Sequence, residues 1–331
     1  MTREQMCVDS LFEESNNKDF IKSPLNYTGN KYRILCQITP FFPPKAKVVV
    51  DLFCGGATVG LNMDCEKIIF VDNNRRVINL LKFLANQDFY VLLRQLELYI
   101  EKYKLSYSAR YGYSHFTKIR ESENKNNGLK AYNTSGFSSL KSDYNLLKDK
   151  ETDSANAMLY LLLVYGFNND LRFNRNGEYN LPCGKTDLNK SNIKKIKAFI
   201  DRMKEIDAEF ICGDFRDEKI KNIIYTSDFV YLDPPYLITD AVYNEANRWD
   251  EESEWDLLHF LESLFFKKVP FVLSNVIRKK GQINEPLNTW TKENKKLIEV
   301  NDINYHYRSA SYNKKNRDAA EEEIVVVYKG K

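Results

Sequence analysis

Four short apolar runs in this chain each lead into an aspartate, and that repetition narrows the folds open to it. Val48-Val49-Val50 leads into Asp51, Ile68-Ile69-Phe70-Val71 into Asp72, Phe210-Ile211-Cys212 into Gly213-Asp214, and Phe229-Val230-Tyr231-Leu232 into Asp233. Short runs rich in β-branched and aromatic residues predict buried strands. Helix-like spacing over 77–85, 193–203 and 251–266 falls between such runs, and strands alternating with helices predict parallel crossovers. Ligands of an open parallel sheet bind outside the carboxyl ends of its strands. The spacing therefore predicts four carboxylates along one rim.

The first strand, 47–53, runs into Cys54-Gly55-Gly56-Ala57-Thr58-Val59-Gly60. This reads as a glycine-rich turn that opens a helix and lets backbone approach a ligand. Asp72 follows Asp51 by 21 positions, near the offset at which an acid meets ribose hydroxyls in nucleotide-binding units. Neither G-x-G-x-x-G nor G-x-x-x-x-G-K-[ST] is present, and acids on the rim would repel a pyrophosphate. A ligand with a ribose and a cationic centre fits better.

The fourth strand stops at Asp233-Pro234-Pro235-Tyr236. Two prolines fix φ and remove two N–H donors, so the turn is stiff. Asp233 and the Pro234 carbonyl are then two acceptors beside the Tyr236 ring. Two acceptors suit the two hydrogens of an exocyclic amino group, and an aromatic face suits the base that carries it.

Between Leu96 and Lys194 the alternation breaks. Tyrosine-rich and Asn/Ser-rich segments such as Glu123–Gly128 surround one apolar helix, Ala155 to Tyr165. A hairpin signal follows at Phe173–Asn180, around Asn176-Gly177. This stretch holds 15 Lys and Arg against 11 Asp and Glu, while the remainder has 34 against 35, so the middle alone is suited to a phosphate backbone. The α/β pattern then resumes and closes with strands at 269–273, 296–300 and 323–328. The predicted organisation is 1–95 (with a loose polar arm over 1–22), 96–194 and 195–331.

A chain of 331 residues with 43% hydrophobic and 29% charged residues is globular in composition. No apolar run nears the ~18 residues that span a bilayer, and Met1-Thr2-Arg3-Glu4-Gln5 does not open a signal peptide. Six scattered cysteines without a C-x-x-C pair, and three distant histidines, predict free thiols, a reducing cytoplasm and no metal site.

These pieces, in this order, resemble the Dam-type DNA adenine-N6 methyltransferases over about 23–328. Tyr27-Thr28-Gly29-Asn30-Lys31 resembles that family's first cofactor motif, and Asp51-Leu52-Phe53-Cys54-Gly55-Gly56-Ala57 its glycine-rich motif. Asp72-Asn73 resembles its ribose-binding acid, and Gly213-Asp214-Phe215 the segment beside the cofactor's adenine. Asp233-Pro234-Pro235-Tyr236 resembles its catalytic motif. The resemblance implies S-adenosyl-L-methionine bound by Tyr27, Thr28, Gly29, Lys31, Asp51, Phe53, Gly55, Asp72, Asn73, Asp214, Phe215 and Asp233. It implies catalysis by Asp233, Pro234, Pro235 and Tyr236.

Segments 165–174 and 177–182 resemble the family's target-recognition hairpin. They imply contact of Asn26, Phe167, Asn168, Arg172, Asn174, Pro182 and Lys185 with double-stranded DNA. Ser309–Arg317 and Glu323-Ile324-Val325 resemble its closing hairpin. The implied fold is a Rossmann-like α/β sheet of seven strands with an inserted, mainly helical recognition domain that carries a β-hairpin. The implied setting is restriction-modification, with a cognate endonuclease acting on the same site. Leu52 and Ala57 replace the family's usual proline and glycine; Asp170, Lys185 and Thr186 also depart from its pattern and leave the target sequence open. A cytosine-N4 methylase and a catalytically silent DNA-binding subunit are the alternatives. The Pro182-Cys183 dipeptide, a nucleophile motif in cytosine-C5 enzymes, falls in the hairpin and reads as structural.

Overall fold

A computed structural model describes residues 20–27, 29–117, 128–238, 249–303 and 321–330. Thr28, nearly all of the predicted arm over 1–22, most of Glu123–Gly128 and the Ser309–Arg317 segment lie outside the described residues. The chain divides into two compact units: a helical unit of residues 1–30 and 76–205, and a sheet unit of residues 31–75 and 206–331.

In the sheet unit, strands β1 (Ala46–Leu52), β2 (Cys65–Asp72), β3 (Asp207–Cys212), β4 (Phe229–Leu232), β5 (Phe271–Lys279), β6 (Gln282–Ile283), β7 (Glu299–Ile303) and β8 (Glu321–Tyr328) form one sheet. Its order is β3-β2-β1-β4-β5-β8-β7, with β6 paired to β5 off that path. The expected seven strands are therefore the main path, and the two-residue β6 is an addition. The first five strands in that order run parallel, and β8 and β7 close the sheet antiparallel. β1 pairs with β2 on one side and β4 on the other, so the strand order reverses between β1 and β4. That reversal is where a doubly wound sheet opens a ligand crevice.

Period-two alternation gives the sheet two different faces. Val50, Leu52, Val71, Val230, Leu232, Leu273, Ile324 and Val326 make one buried face. It is covered by α6 (Glu218–Tyr225), α7 (Glu251–Lys267) and α8 (Glu285–Glu293) through Ile220, Leu257, Leu261 and Trp290. Asp51, Tyr231, Ser274 and Glu323 alternate with those residues and belong to the opposite face.

Three expectations need correction. The strand expected at 296–300 follows a turn over 294–297 and runs over Glu299–Ile303. The turn after β1 does not open an α-helix; the link to β2 contains only a short 3-10 turn, Gly60–Asn62. Phe53, Gly55 and Ala57 have φ of 63°, 47° and 63°, and these left-handed positions interrupt any helical path. Gly60 also leaves no room for a side chain: a Cβ there would meet the Phe70 ring, Asp51 Oδ2 at 2.7 Å and Ile68 at 2.8 Å. The strand expected at 269–273 starts at Phe271, beyond Pro270, and runs on to Lys279 as the antiparallel partner of β8.

The helical unit contains α1 (Arg75–Ala85, whose first residue belongs to the sheet unit), α2 (Phe89–Lys102), α3 (Lys130–Leu146), α4 (Asp153–Tyr165) and α5 (Lys190–Glu205). Ala155 to Tyr165 of α4 are all buried, as an apolar run without a polar side requires. α2 and α5 are continuous across residues 95–96 and 194–195. α2 starts on an Asp88 cap, whose carboxylate accepts from the N–H groups of Tyr90 and Val91. Gly136 lets α3 pass close to the Tyr103 carbonyl, and Asn133 of the same helix joins a buried network with Ser106 and Asp187.

Candidate active site

Asp233 follows β4 directly, and its N–H donates to the Leu52 carbonyl at 3.3 Å across the β1–β4 reversal. Lys31 comes from the 3-10 turn Lys31–Ile34 and is only 7% exposed. Its ammonium lies 2.9 Å from Asp233 Oδ1 and 3.8 Å from Glu323 Oε1. It also stands 5.0 Å from the centre of the Tyr236 ring. The single hydrogen of the Tyr236 hydroxyl has two carboxylate acceptors within reach, Asp233 Oδ1 at 3.0 Å and Glu323 Oε1 at 3.3 Å, the nearer being Asp233. Oδ1 thus takes both donors, and Oδ2 carries none among the described residues. Burial raises the Asp233 pKa, while the charge and hydrogen bond of Lys31 and the Tyr236 hydroxyl act to lower it.

Behind the partly exposed Asp233 lie two buried carboxylates. Asp51 Oδ2 accepts the Gly60 N–H at 2.9 Å, and burial pushes the Asp51 carboxyl up to about 8. Asp72 closes the glycine turn from the neighbouring strand, where Oδ2 accepts the Gly55 N–H at 2.9 Å and Oδ1 the Asn74 N–H at 2.8 Å. Burial raises Asp72 as well. Asn73 is exposed beside it.

Phe53, Phe215 and Trp249 form an aromatic wall, with ring centres 5.6 to 6.0 Å apart. Asp214 precedes it, partly exposed, with Oδ1 accepting the Arg216 N–H at 2.9 Å. Trp249 is anchored through its indole N–H to Glu254 Oε2 at 2.6 Å. Glu254 Oε1 accepts from Asn275 at 3.0 Å and Asn284 at 2.7 Å, which satisfies a carboxylate with no exposed surface. The sequence motifs do not mark Trp249 or Glu254, and they place Glu323 only in a closing hairpin, not at the site. Trp249 stands in no local pattern, whereas a glutamate opening the apolar run Ile324–Val327 was a usable signal.

In the helical unit, Asn26 Oδ1 accepts from Lys195 at 2.8 Å, Tyr27 O accepts the Asn30 N–H, and Gly29 has φ of 83°. Among the residues expected at DNA, Phe167 is 46% exposed and Asn168 has φ of 58° in the turn after α4. Pro182 and Lys185 are exposed, and the Pro182 carbonyl accepts the Phe167 N–H.

The expected hairpin forms around a bridge between Phe173 and Tyr179. Asn174 Oδ1 accepts from the N–H groups of Asn176 and Glu178, and Gly177 has φ of 74°. Arg172 Nε donates to Asn180 Oδ1 at 2.9 Å. Arg76 underpins the hairpin: it donates to the Gly177 carbonyl at 2.7 Å and its guanidinium lies 4.1 Å from the Phe173 ring centre. Cys183 is buried at the hairpin base opposite Gly166, and burial pushes its thiol up to about 11. That environment suits packing rather than nucleophilic attack. No group of His, Cys, Asp and Glu able to hold a metal occurs among the described residues, and no described helix is long and apolar enough to cross a membrane.

The chain thus has an open, mostly parallel α/β sheet with an Asp-Pro-Pro-Tyr turn at its strand-order reversal, the place where such sheets bind ligands. Residues 27–317 match the model of the D12 class N6 adenine-specific DNA methyltransferases, and the chain belongs to that family. A methyl donor of the S-adenosylmethionine type follows from the family. The chain is 35% identical over 315 residues to the type II methyltransferase M.FokI of Planomicrobium okeanokoites, covering 93% of this chain and 43% of that protein. It is 32% identical over 313 residues to the modification methylase StsI of Streptococcus sanguinis, with the same two coverages of 93% and 43%. The DNA adenine methylase of Escherichia coli strain K12 is 24% identical over 264 residues, covering 78% of this chain and 81% of that enzyme. The chain thus spans less than half the length of the first two relatives.

Proposed function

We propose that the protein transfers a methyl group from S-adenosyl-L-methionine to N6 of an adenine turned out of a short duplex DNA sequence. The observation that carries this reading is Asp233: a partly buried carboxylate at the strand-order reversal, its Oδ1 held by Lys31 and Tyr236, its Oδ2 without a partner among the described residues. An adenine amino group is a weak nucleophile because its lone pair is delocalised into the ring. Asp233 and the Pro234 carbonyl, accepting its two hydrogens, draw the nitrogen toward tetrahedral geometry and free that lone pair. Tyr236 offers its ring to the base, whose extrusion from the duplex costs a few kcal/mol.

The donor set of the rim suits the cofactor. Asp72 would take ribose hydroxyls, the 53–57 turn brings backbone close, and the Phe53, Phe215 and Trp249 wall offers apolar faces. Tyr27, Thr28, Gly29, Lys31, Asp51, Asn73 and Asp214 complete the set that we assign to it. When bound, the cofactor supplies an activated methyl on a cationic sulfur. The protein's own part is positioning and electrostatics, with no need for a covalent enzyme intermediate.

We assign residues 96–194 to target recognition, with Asn168, Arg172, Asn174 and Lys185 reading bases or phosphates and Asn26, Phe167 and Pro182 beside them. A restriction-modification role is supported by the names of the type II and modification methylases to which the chain is similar; we assign the protein to the cytoplasm, with a cognate endonuclease acting on the same site. The test is transfer of a tritiated methyl group to duplex DNA, followed by nucleoside analysis. Label in N6-methyladenine supports the reading, and label in N4-methylcytosine or none overturns it.

A further inference from the structure

Glu323 is almost fully buried on β8, on the sheet face that carries Asp51, Tyr231 and Ser274. A register shift sets it there. Val276 pairs with Glu323 and Arg278 with Glu322, so Ile277 is an extra residue in β5 directly beside it. Bulges of this kind bend a strand and redirect its neighbours' side chains. The Glu323 carboxylate reaches the same two donors as Asp233: the Lys31 ammonium, 3.8 Å from Glu323 and 2.9 Å from Asp233, and the Tyr236 hydroxyl, at 3.3 and 3.0 Å. Two carboxylates from different strands therefore share one cation and one hydroxyl.

We propose that Glu323 is a positioning residue for methyl transfer: by sharing Lys31 and Tyr236 with Asp233 it fixes both donors on Oδ1 and leaves Oδ2 to accept from the substrate's amino group. The proposal rests on the methyl-transfer reading. Without Glu323, Asp233 is the acidic partner that the described residues leave to Lys31 and the Tyr236 hydroxyl in this cluster, and either can swing to cover Oδ2. Glu323 also divides the charge of Lys31. Among the described residues, the other groups facing Asp233 are Asp51 on β1, with Asp72 beyond it, and Tyr231 on β4. Of all these groups, Lys31 alone is cationic. Removing the negative charge of Glu323 therefore concentrates Lys31 on Asp233 and favours its ionised form.

The experiment compares wild type with Glu323→Gln and Glu323→Ala by single-turnover methylation of duplex DNA across pH. It also follows the Asp233 carboxylate in the apo protein by carbon-13 NMR, with the signal assigned through Asp233→Asn. Gln keeps an acceptor for both donors but not the charge. Its acidic limb and its Asp233 titration are expected to move down by about one pH unit. Ala loses the acceptor too, and its plateau rate is expected to fall by about tenfold or more. A residue that merely supported the fold would lower the melting temperature and leave the limb and the titration in place. An unmoved limb and an unmoved titration in the Gln variant overturn the proposal. Failure of the wild type to methylate DNA overturns the methyl-transfer reading instead, and the carboxylate titration still decides whether Glu323 tunes Asp233.

Discussion

The Tyr236 hydroxyl donates to Asp233 Oδ1 at 3.0 Å, so the first and last residues of the Asp-Pro-Pro-Tyr turn are one hydrogen-bonded unit. The two prolines between them hold that closure rigid. Tyr236→Phe keeps the ring and loses the hydroxyl; its methylation rate is expected to fall by about ten- to a hundredfold, the worth of one hydrogen bond to a charged group. Tyr236→Ala removes the ring as well and is expected to cost a further ~1–3 kcal/mol of base stacking. Single-turnover rates on cognate duplex DNA separate the two, and equal losses in both variants would refute stacking by the ring.

Asp233→Ala is expected to abolish methyl transfer while the fold and most of the DNA affinity persist. Lys31 would then keep a carboxylate neighbour in Glu323, which limits the damage of leaving a buried cation without Asp233. Tritiated methyl incorporation together with a gel-shift titration checks both halves. Full activity would remove Asp233 from the mechanism.

Asp72→Ala is expected to weaken S-adenosylmethionine binding by about 1.5–3 kcal/mol, the range for a charge-assisted hydrogen bond. Asp72 already accepts the N–H groups of Gly55 and Asn74. Asp72→Asn, which retains one acceptor for that turn, should therefore bind better than the Ala variant. Calorimetry on the three proteins measures this. Three equal dissociation constants would leave Asp72 as a cap of the turn and nothing more.

Asp51 makes stability depend on pH. Its folded-state pKa, about 8, stands far above the ordinary 3.8, so between these values the folded chain binds a proton that the unfolded chain has lost. Stability must then fall as pH rises through that window. Asp72 and Asp233, also raised, add slopes of the same sign. Asp51→Asn keeps an acceptor for the Gly60 N–H and is expected to lose a smaller share of its urea midpoint between pH 5 and pH 8 than wild type does. A wild-type midpoint that rises over that range would contradict the assignment.

Most of the sheet was legible from the apolar runs, because a buried strand needs β-branched and aromatic residues on both of its faces. β1, β2 and β4, and their terminal acids, are where that pattern puts them. The missing first crossover helix was not legible, since Gly55 and Gly60 permit a helix as readily as the turn that Asp51 and Asp72 impose. α3 was missed for another reason. Its Asn, Ser, Thr and Gly residues favour loops when taken singly, and buried contacts at Asn133, Phe137 and Tyr144 override that preference. The sharing of Lys31 among Asp233, Tyr236 and Glu323 joins residues nearly 300 positions apart, and no local spacing records it.

Arg172 is expected to read a base. Its Nε is steadied by Asn180 Oδ1 across the hairpin, which leaves the terminal nitrogens to reach a base edge. Arg172→Ala should then lose about 1–3 kcal/mol and discriminate poorly at one base pair. Binding to the cognate site and to each single-base variant tests this. An equal drop at all sites, with a salt slope reduced by about one, would make Arg172 a phosphate contact.

The sheet unit is built from two stretches of chain with the whole of 76–205 between them. Lys47 and Val48 of β1 donate to Asp228, 181 and 180 positions away, and β4 can dock only after that separation is closed. Closing so long a loop is entropically costly, and contacts of such range slow folding. Local contacts in α1 to α5 form at no such cost. During synthesis β1 and β2 therefore wait, with both outer edges unpaired, until the ribosome has delivered β3 and then β4.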